Sequence, residues 1–351
     1  MKILITGGAG FIGQHLASRL VESGHSVTAL DTLADQVHQN PDHDAARFPG
    51  DVIRGDVSDV STWSGLPAHD AIVHLAAETG TAQSMYEQEH YRHVNVGGTR
   101  LAGQWAANWE APIVALSSRA VYGEGLKAGG SLADSTRSGE GGALLPSFED
   151  DPHRPLSVYG ETKSEGETAL AAATESLVAA TIIRPQNVIG FGQALHNPYT
   201  GVLAAFLARL KEQRELVVYG DGTQTRDFVH VEDLSALIVW CLNHNPARGA
   251  PRVLNCGTGT RTSLIQLAQY AIEASPHGHL PIVHLDVKRA GDIEHACADL
   301  TRLREMGAPL PIWTTREAIG DFIRLSWGEH GANSLVWDRA LEDLSRRGLT
   351  T

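Results

Sequence analysis

The sequence predicts an α/β fold, a doubly wound parallel sheet with a second, smaller and discontinuous α/β domain. Short apolar runs rich in β-branched residues recur through the first half of the chain, and segments with a helical period separate them. A glycine-rich turn joins the first apolar run to the first helical segment. Strands that alternate with helices in this way are typical of a parallel sheet with helices on both faces.

Six strands are predicted in the first half of the chain, at residues 2–6, 26–30, 51–54, 71–75, 112–117 and 179–184. Each is a short and mostly apolar run, as expected for strands that are buried on both faces. Between the first two strands, Ile12, Leu16 and Leu20 recur at four-residue spacing and predict one face of a helix. Leu101 and Trp105 mark a second amphipathic helix before the fifth strand.

This regularity breaks at two places. Residues 123–155 are rich in Gly, Ser, Asp and Pro and predict a long loop, which we interpret as a flap over a site. After residue 184 the pattern is mixed, with a helix predicted at 201–211, a strand at 216–219 and a helix at 264–272. We therefore predict one domain from residues 1–184 and 228–256, a second from 185–227 and 257–333, and a helical tail at 334–351.

The composition limits the classes of partner. The 351 residues include 28 Lys and Arg against 41 Asp and Glu, which gives a formal charge of −13, and they form no basic cluster. Nucleic acids and anionic membranes are not expected as partners, because both require a concentrated basic surface. The apolar run at the amino terminus is too short for a signal peptide, and none approaches the roughly 18 to 20 residues of a membrane span.

The three cysteines, Cys241, Cys256 and Cys297, are far apart and form no Cys-x-x-Cys pair. They predict neither a disulfide framework nor a structural zinc site, and no other metal site is predicted. The expected location is therefore a reducing compartment, the cytoplasm.

The glycine-rich turn predicts a dinucleotide site. Gly7, Gly10 and Gly13 directly follow the first strand and open the first helix. A Rossmann-type dinucleotide turn needs this context, because its backbone approaches a pyrophosphate and the helix amides face the negative charge. The alternative is a glycine-rich turn without a ligand.

Asp31 ends the second strand 18 residues after Gly13, near the ~20 expected for a carboxylate that binds the adenosine ribose. Since no Arg follows it closely to receive a 2′-phosphate, NAD is favoured over NADP.

Two further segments belong to the same sheet edge. Asp56 and Val57 follow the third strand, and Leu75, Ala76 and Ala77 end the fourth. A doubly wound fold binds its ligand at the carboxyl ends of the strands, where small side chains let the backbone approach a cofactor. These residues could equally be ordinary residues of the sheet edge.

A tyrosine and a lysine predict the acid/base chemistry. Tyr159 and Lys163 lie four residues apart, on one face of a helix that Ser157 could cap. A free phenol has a pKa near ~10, but a neighbouring ammonium and a cationic nicotinamide favour phenolate, which is a general base. Ser117 and Ser118 end the fifth strand, and a hydroxyl there could bridge the phenol and a substrate alcohol.

With these residues, the chain resembles the extended short-chain dehydrogenase/reductase family, in its NAD-dependent nucleotide-sugar epimerase/dehydratase branch. The resemblance covers about residues 1–330. Besides the glycine turn and the Tyr159/Lys163 pair, it depends on Leu-Ala-Ala at 75–77, Ser-Ser at 117–118 with Val-Tyr-Gly at 121–123, Arg-Pro-Gln-Asn-Val at 184–188, Arg-Asp-Phe-Val-His-Val at 226–231 and Arg-Ala-Gly-Asp at 289–292. The segments 78–86 and 192–201 are similar to dTDP-L-rhamnose 4-epimerase-like enzymes of this branch.

The resemblance implies roles for individual residues. Ser118 would be the catalytic hydroxyl, Tyr159 the acid/base, and Lys163 the residue that holds the nicotinamide ribose and lowers the tyrosine pKa. The implied NAD site consists of Gly7, Gly10, Phe11, Ile12, Gly13, Asp31, Asp56, Val57, Leu75, Ala76, Ala77, Asn95, Ser117, Tyr159, Lys163, Pro185 and Val188. The implied site for a nucleoside-diphosphate sugar, with dTDP, UDP or a similar carrier, consists of Thr79, Ser84, Ser118, Arg119, Tyr159, Asn187, Asn197, Val217, Tyr219, Arg226, Arg289 and Asp292.

The arginines of that set have a physical reason to be there. The diphosphate of a nucleotide sugar carries two negative charges, so an acidic protein must gather local cations, and bidentate Arg suits that task. The resemblance places Asn187, Arg226 and Arg289 at the diphosphate, Tyr219 at the base and Asp292 near the nucleoside. The alternative is that Arg226 pairs with Asp227 and Arg289 with Asp292 at the surface.

The residues after Ser118 indicate the reaction. Dehydratases of this family usually have Asp and Glu there, and decarboxylases tend to keep the Glu, whereas this chain has Arg119 and Ala120. The flap residues Glu140, Glu149, Asp150 and Asp151 are the other possible suppliers of carboxylates. The departure favours epimerisation at C4 through a transient 4-keto sugar. A 4-ketoreductase, a 4,6-dehydratase and a non-catalytic NAD-sensing module are the alternatives.

Arg119 could contact a carboxylate or ketone of the sugar or point into solvent, and we favour solvent slightly.

The family resemblance implies a homodimer through helices that start near Tyr91 and Tyr159. On the second of these helices, Ala169, Leu170 and Ala173 form an apolar stripe that could also be core.

Overall fold

The computed structural model describes residues 1–126, 144–199, 201–287, 289 and 291–350. The strands are β1 (Lys2–Thr6), β2 (Ser26–Asp31), β3 (Asp51–Arg54), β4 (Ala71–His74), β5 (Ile113–Leu116), β6 (Ala180–Pro185), β7 (Asn187–Ile189), β8 (Leu216–Tyr219), β9 (Thr225–Arg226), β10 (Phe228–His230), β11 (Arg252–Cys256), β12 (Thr262–Ser263) and β13 (Ile282–Leu285). The helices are α1 (Phe11–Glu22), α2 (Pro41–Arg47), α3 (Val60–Ser64), α4 (Thr81–Ser84), α5 (Gln88–Tyr91), α6 (Gly98–Asn108), α7 (Val158–Thr174), α8 (Val202–Lys211), α9 (Val231–Asn243), α10 (Leu264–Ala274), α11 (Thr301–Glu305), α12 (Thr315–Ser326) and α13 (Ser334–Arg346). Arg92–Gly97 is a π-helical segment and Arg119–Tyr122 a 3₁₀ helix.

The central sheet has seven parallel strands in the order β11-β6-β5-β4-β1-β2-β3. The chain runs from β1 to β2 and β3 on one side and then crosses to β4, β5, β6 and β11 on the other. This reversal at β1 and β4 opens a crevice at the carboxyl ends of the strands, where such sheets bind ligands. The predicted doubly wound, Rossmann-type sheet is confirmed.

Alternating side chains of the sheet pack on both faces. Ile3 and Ile5 of β1 join one buried apolar cluster with Leu16 and Leu20 of α1. Leu4, between them, points to the opposite face and joins a second cluster. A strand covered on both faces must be apolar at every position, which is why these strands lack a polar alternation.

A third apolar cluster lies beyond the central sheet. It contains Phe206 and Leu207 of α8, Leu267 of α10 and Phe322 of α12, all of which are buried. Three two-stranded pairs accompany it, β7 with β10, β9 with β12 and β8 with β13. We propose that this cluster is the core of the smaller domain, with the boundaries expected above.

The apolar stripe on α7 lies inside the chain. An added Cβ at Gly103 of α6 would lie 2.9 Å from the Ala173 Cβ and 3.0 Å from the Leu170 Cδ1. Leu170 is fully buried and Ala169 half-buried. Leu170 and Ala173 therefore pack α7 against α6, which favours the alternative that this stripe is core. None of the helices in the described ranges combines the length and apolar character that crossing a membrane requires.

Candidate active site

The glycine-rich turn folds so tightly that side chains would collide with its backbone. Gly7 has a φ of +66°, which glycine adopts readily, and an added Cβ there would lie 2.8 Å from the Ala76 amide nitrogen. An added Cβ at Gly13 would collide with the carbonyl oxygen of Gly8. The turn between β1 and α1 therefore presents bare backbone at the carboxyl edge of the sheet.

The amino terminus of α1 is open to an anion. Its N-cap is Gly10, which offers no side-chain acceptor to the first-turn amides. Ser117, just after β5, has a buried hydroxyl that finds no hydrogen-bond partner among the described residues. Free helix amides, bare backbone and an unpaired buried hydroxyl fit the pyrophosphate and a ribose of a dinucleotide.

Asp31 is fixed at the end of β2. Its carboxylate accepts the Ala9 amide at 3.1 Å and the Leu33 amide at 3.0 Å. Buried His38, which sequence reasoning missed, lies with its Nε2 3.6 Å from Asp31 and its Nδ1 3.0 Å from Asp44. Burial acts to lower the pKa of His38, but the two carboxylates outweigh it and leave that pKa raised.

The other predicted cofactor residues have mixed surroundings. The Asp56 carboxylate turns back to its own loop and accepts the Ser58 amide and hydroxyl at 2.7 and 2.6 Å. Asn95 is buried, and its side chain bonds to the Glu78 backbone and the Thr162 hydroxyl. The rest adjoin the ends of β3, β4 and β6, lie in β7 or form the first turn of α1, namely Phe11, Ile12, Val57, Leu75, Ala76, Ala77, Pro185 and Val188.

The turn after β5 and the start of α7 place Ser118 beside Tyr159. Ser118 caps the 3₁₀ helix by accepting the Ala120 amide at 3.1 Å. An added Cβ at Gly160 would lie 2.7 Å from the Ala120 carbonyl oxygen, so the two segments are in contact. The Ser118 hydroxyl lies near enough to the Tyr159 phenol to lower its pKa.

Helix α7 is held at its amino terminus, where Tyr159 lies. Ser157 caps the helix with its hydroxyl, and the Ser84 hydroxyl accepts the Tyr159 amide at 3.0 Å. One turn later the buried Lys163 donates from Nζ to the Leu116 carbonyl at 2.9 Å. Tyr159 is therefore positioned by its own backbone and not only by its side chain.

Burial and neighbouring groups shift the pKa values of Tyr159 and Lys163. Burial raises the pKa of the Tyr159 phenol, while the Ser118 hydrogen bond and the positive charge of Arg119 lower it. Burial lowers the pKa of Lys163 to about 8. Arg119 is thus a cation that acts on the phenol, and the effect of Lys163 on the tyrosine pKa stays a prediction.

Arg119 does not point freely into solvent, which corrects our interpretation from the sequence. It is half-buried, and its guanidinium makes no hydrogen bond or ion pair with any residue that the structure describes. Burial and the nearby Arg226 lower its pKa to about 10, against the charges of Asp292, Tyr159 and Glu124. Among the described residues it is therefore a cation without a partner, and its charge acts on the Tyr159 phenol.

Arg226 does not pair with its neighbour in the sequence. Its guanidinium donates to three backbone carbonyls, those of Thr225, Ile293 and Glu294, at 2.9, 2.7 and 3.2 Å. Buried Asp227 instead accepts the amides of Thr258, Gly259 and Ala298. The surface-pair alternative is therefore wrong for Arg226.

That alternative is right for Arg289, whose Nε lies 2.9 Å from the Asp292 carboxylate. The same guanidinium stands 5.3 Å from the centre of the Tyr219 ring. An added Cβ at Gly291 would lie 3.3 Å from the Ser157 Cβ and 3.6 Å from the Thr81 Cγ2. The turn that carries Arg289 thus lies close to Ser157, at the start of α7, and to Thr81 of α4. The cations Arg119, Arg226 and Arg289 are near enough for the charge of one to affect the pKa of the next.

The remaining predicted substrate residues are not equally available. Asn187 has a buried side-chain oxygen without a hydrogen-bond partner among described atoms. Asn197 is buried and accepts the Tyr199 amide at 3.0 Å. The Ser84 hydroxyl is engaged with Tyr159 and with the Thr81 carbonyl. Thr79 is exposed, and Val217 is half-buried within β8.

The flap carboxylates that the structure describes are committed elsewhere. Glu149 accepts the Asn255 amide at 2.8 Å, Asp150 pairs with Arg302 at 2.7 Å, and Asp151 accepts the Phe148 amide at 2.9 Å. Glu140 lies outside the described residues. Glu124, which sequence reasoning missed, accepts the Glu294 amide at 2.8 Å, and its charge acts on Arg119 and Arg226.

A buried hydrogen-bond network connects α7 to the central sheet. The Arg184 guanidinium donates to Glu167 of α7 at 2.8 and 2.6 Å and to the Tyr122 hydroxyl at 2.8 Å. Its Nη2 also lies 2.6 Å from His153 Nε2, and the Tyr122 hydroxyl donates to Asn255 at 2.7 Å. The network ties α7 to β6 and β11 beneath the site.

Comparisons with known proteins agree with this geometry. A family model described as the NAD dependent epimerase/dehydratase family matches residues 3–257. The chain is 36% identical to the dTDP-L-rhamnose 4-epimerase of Burkholderia thailandensis, over 91% of this chain and 93% of that protein. The fold is similar to UDP-glucose 4-epimerase from Thermotoga maritima with UDP-glucose, with a TM-score of 0.78, 25% identity and coverage of 93% of this chain and 98% of that chain. It is also similar to MoeE5 in complex with UDP-glucose and NAD, with a TM-score of 0.75, 27% identity and the same coverage.

Proposed function

This chain belongs to the NAD dependent epimerase/dehydratase family, and from that premise we propose that it is an NAD-dependent epimerase acting at C4 of a nucleoside-diphosphate hexose. The membership confirms the resemblance recognised in the motifs, and NAD is the cofactor. The observation that carries the reaction is that Ser118 and Arg119 both act on the Tyr159 phenol, while Arg119 and Ala120 stand after Ser118 in place of carboxylates.

The chain's own residues move the proton. Tyr159 takes the proton from the 4-hydroxyl, and the Ser118 hydroxyl stands next to the phenol to orient that alcohol. NAD, when bound, supplies hydride acceptance and return at C4. After the 4-keto sugar has turned over in the site, Tyr159 gives the proton back to the oxygen on the inverted carbon. The reaction needs a single proton shuttle, which matches a single acid/base.

The substrate is proposed to be a nucleotide sugar held by its diphosphate. Arg226 lies near both Arg119 and Arg289, so these cations can face the diphosphate together. The Asn187 side-chain oxygen, which has no hydrogen-bond partner among the described residues, can accept a hydroxyl or amide proton. Relatives named for dTDP-L-rhamnose and for UDP-glucose support a dTDP or UDP carrier.

The test of the reaction class is incubation with UDP-glucose and with dTDP-L-rhamnose, without added reductant. We expect proton NMR to reveal a second signal set for a C4 epimer from the true substrate, without net NADH formation. A 4-keto-6-deoxy chromophore in alkali would instead identify a 4,6-dehydratase, and a stoichiometric need for NADH would identify a 4-ketoreductase. NAD binding without turnover of any nucleotide sugar would favour the non-catalytic sensing module.

Removing the Arg119 charge is expected to move the rising limb of the pH–rate profile to higher pH. Without this cation the phenolate of Tyr159 is less favoured, so the phenol pKa rises. Arg119→Lys should retain much of the parent profile and Arg119→Ala should not, as measured by initial rates between pH 6 and 10. An Arg119→Ala profile that coincides with the parent's would exclude this role.

Asp31 is expected to select NAD. A carboxylate at the adenosine ribose repels a 2′-phosphate, so calorimetry should give NAD at least about tenfold tighter binding than NADP. In Asp31→Asn the preference should shrink, because the amide carries no charge. Equal affinities of the parent for NAD and NADP would overturn the assignment.

We also propose a homodimer in the cytoplasm. The dimer follows from the family resemblance alone, since Leu170 and Ala173 are used within the chain. Sedimentation at micromolar concentration should give about twice the 37.6 kDa of one chain, because an interface of standard size holds at that dilution.

The cytoplasm suits three free and buried cysteines, Cys241, Cys256 and Cys297.

A further inference from the structure

The last described residues of the chain contact two segments of the candidate site. After α13, the Arg347 guanidinium stands 4.1 Å from the centre of the Tyr86 ring. Three residues later, Thr350 forms an isolated antiparallel β-bridge with Arg289. The last described residues therefore run between the segment after α4 and the turn that carries a predicted diphosphate ligand.

Both contact points adjoin the residues already placed in the site. Tyr86 donates from its hydroxyl to the Tyr199 hydroxyl at 2.9 Å, and it lies two residues after Ser84, which holds the Tyr159 backbone. Arg289 stacks on Tyr219. Residues 347–350 therefore connect the segment that holds the Tyr159 backbone with the turn that carries Arg289.

Helix α13 is firmly attached, so the position of the terminus is determined by the fold. The Arg209 guanidinium of α8 pairs with Asp338 at 2.5 Å. At the helix start, the Ser334 amide and hydroxyl donate to Glu212 at 2.9 and 2.6 Å. Leu344, one turn before the end, is buried.

Arg347 differs from the arginine beside it. Arg346 pairs with Glu342 and Asp343 on the outside of α13. Arg347 is exposed, and within the described part of the chain it forms neither a hydrogen bond nor an ion pair. Its cation–π contact with Tyr86 occupies none of its N–H donors with a described acceptor, so these donors can bind a phosphate or a sugar hydroxyl.

We propose that residues 347–350 complete the nucleotide-sugar site, with Arg347 as a substrate-binding cation and Thr350 as the backbone support of Arg289. The inference depends on the proposed function for the nature of the ligand. It assigns a binding role to the carboxyl-terminal tail, which lies beyond the residues matched by the family model.

The test measures nucleotide binding and not turnover. Calorimetry with the NAD-loaded protein uses UDP and dTDP as probes, on the parent, on Arg347→Ala, on a chain that ends at Arg346, and on the control Arg346→Ala. We expect the better-bound nucleotide to lose at least about tenfold in affinity on deletion and about threefold or more in Arg347→Ala, with Arg346→Ala within about twofold. NAD affinity and the melting temperature should change little in all variants.

A second measurement separates binding from mere packing. Trypsin can cleave after Arg346 and Arg347, and UDP or dTDP should slow that cleavage in the parent if the tail closes over the nucleotide. Unchanged affinity in the deleted chain, equal losses in Arg346→Ala and Arg347→Ala, or cleavage that ignores both nucleotides would overturn the proposal. A parent that binds a nucleotide but epimerises no sugar would contradict only the proposed function.

Discussion

Replacing Tyr159 with phenylalanine is expected to lower turnover by about 10²–10⁴-fold while leaving NAD binding nearly unchanged. In the proposed reaction the phenol oxygen exchanges the proton of the 4-hydroxyl, and Ser118 acts on that phenol. The backbone contact from Tyr159 to Ser84 and the cap at Ser157 do not involve that oxygen, so α7 should keep its position.

The measurement is turnover with the substrate found by NMR, together with NAD calorimetry on the same preparation. Tyr270→Phe is the matched control, because Tyr270 lies on α10 and contacts Arg316 through its ring. The control should retain full activity. Near-normal turnover in Tyr159→Phe would transfer the acid/base role to another group and undo the mechanism.

Glu167→Ala is expected to lower the free energy of unfolding by about 3–5 kcal/mol, because it leaves the buried Arg184 guanidinium without its carboxylate. Arg184 is only 4% exposed and Glu167 9% exposed, so water cannot replace the lost partner. Since Glu167 is on α7, the same change should also loosen the helix that carries Tyr159.

Urea unfolding followed by circular dichroism measures this effect. Glu161→Ala is the control on the same helix, since Glu161 pairs with Arg92 where both side chains are more than 40% exposed. Exposed pairs contribute about 0–1 kcal/mol, so the control should unfold near the parent's midpoint. Equal destabilisation by the two substitutions would show that burial of the Arg184 pair does not matter.

Local patterns predicted the sheet well. The expected strands at 2–6, 51–54 and 216–219 have the same bounds as β1, β3 and β8, and the fold class is confirmed. An apolar run flanked by turn residues is a local property, and parallel strands buried on both faces make it strong. The strand β11 was not predicted individually, although its return to the first domain was, because Arg252 and Asn255 interrupt its apolar pattern.

The roles of charged side chains were predicted less well. Arg119 was expected in solvent, and the Arg226–Asp227 pair was considered. The groups that act on these two arginines are remote in sequence, as in the bond from Arg226 to Ile293. Sequence spacing reports neighbours along an element, whereas charge pairing depends on which elements the fold brings together.

The sequence by itself determined the doubly wound sheet, the glycine turn, the Tyr159 and Lys163 pair and the family, because these depend on local conformation and short spacings. Only the tertiary structure decided which groups surround the phenol, how Arg184 supports α7 from beneath, and that Arg347 and Thr350 reach Tyr86 and Arg289. The physical reason is the range of the forces involved. Backbone and hydrophobic preferences are set by neighbours in the chain, while burial and Coulomb interactions join residues that are far apart in the sequence. Arg184 and Tyr122 are 62 positions apart, and Arg347 and Tyr86 are 261 apart.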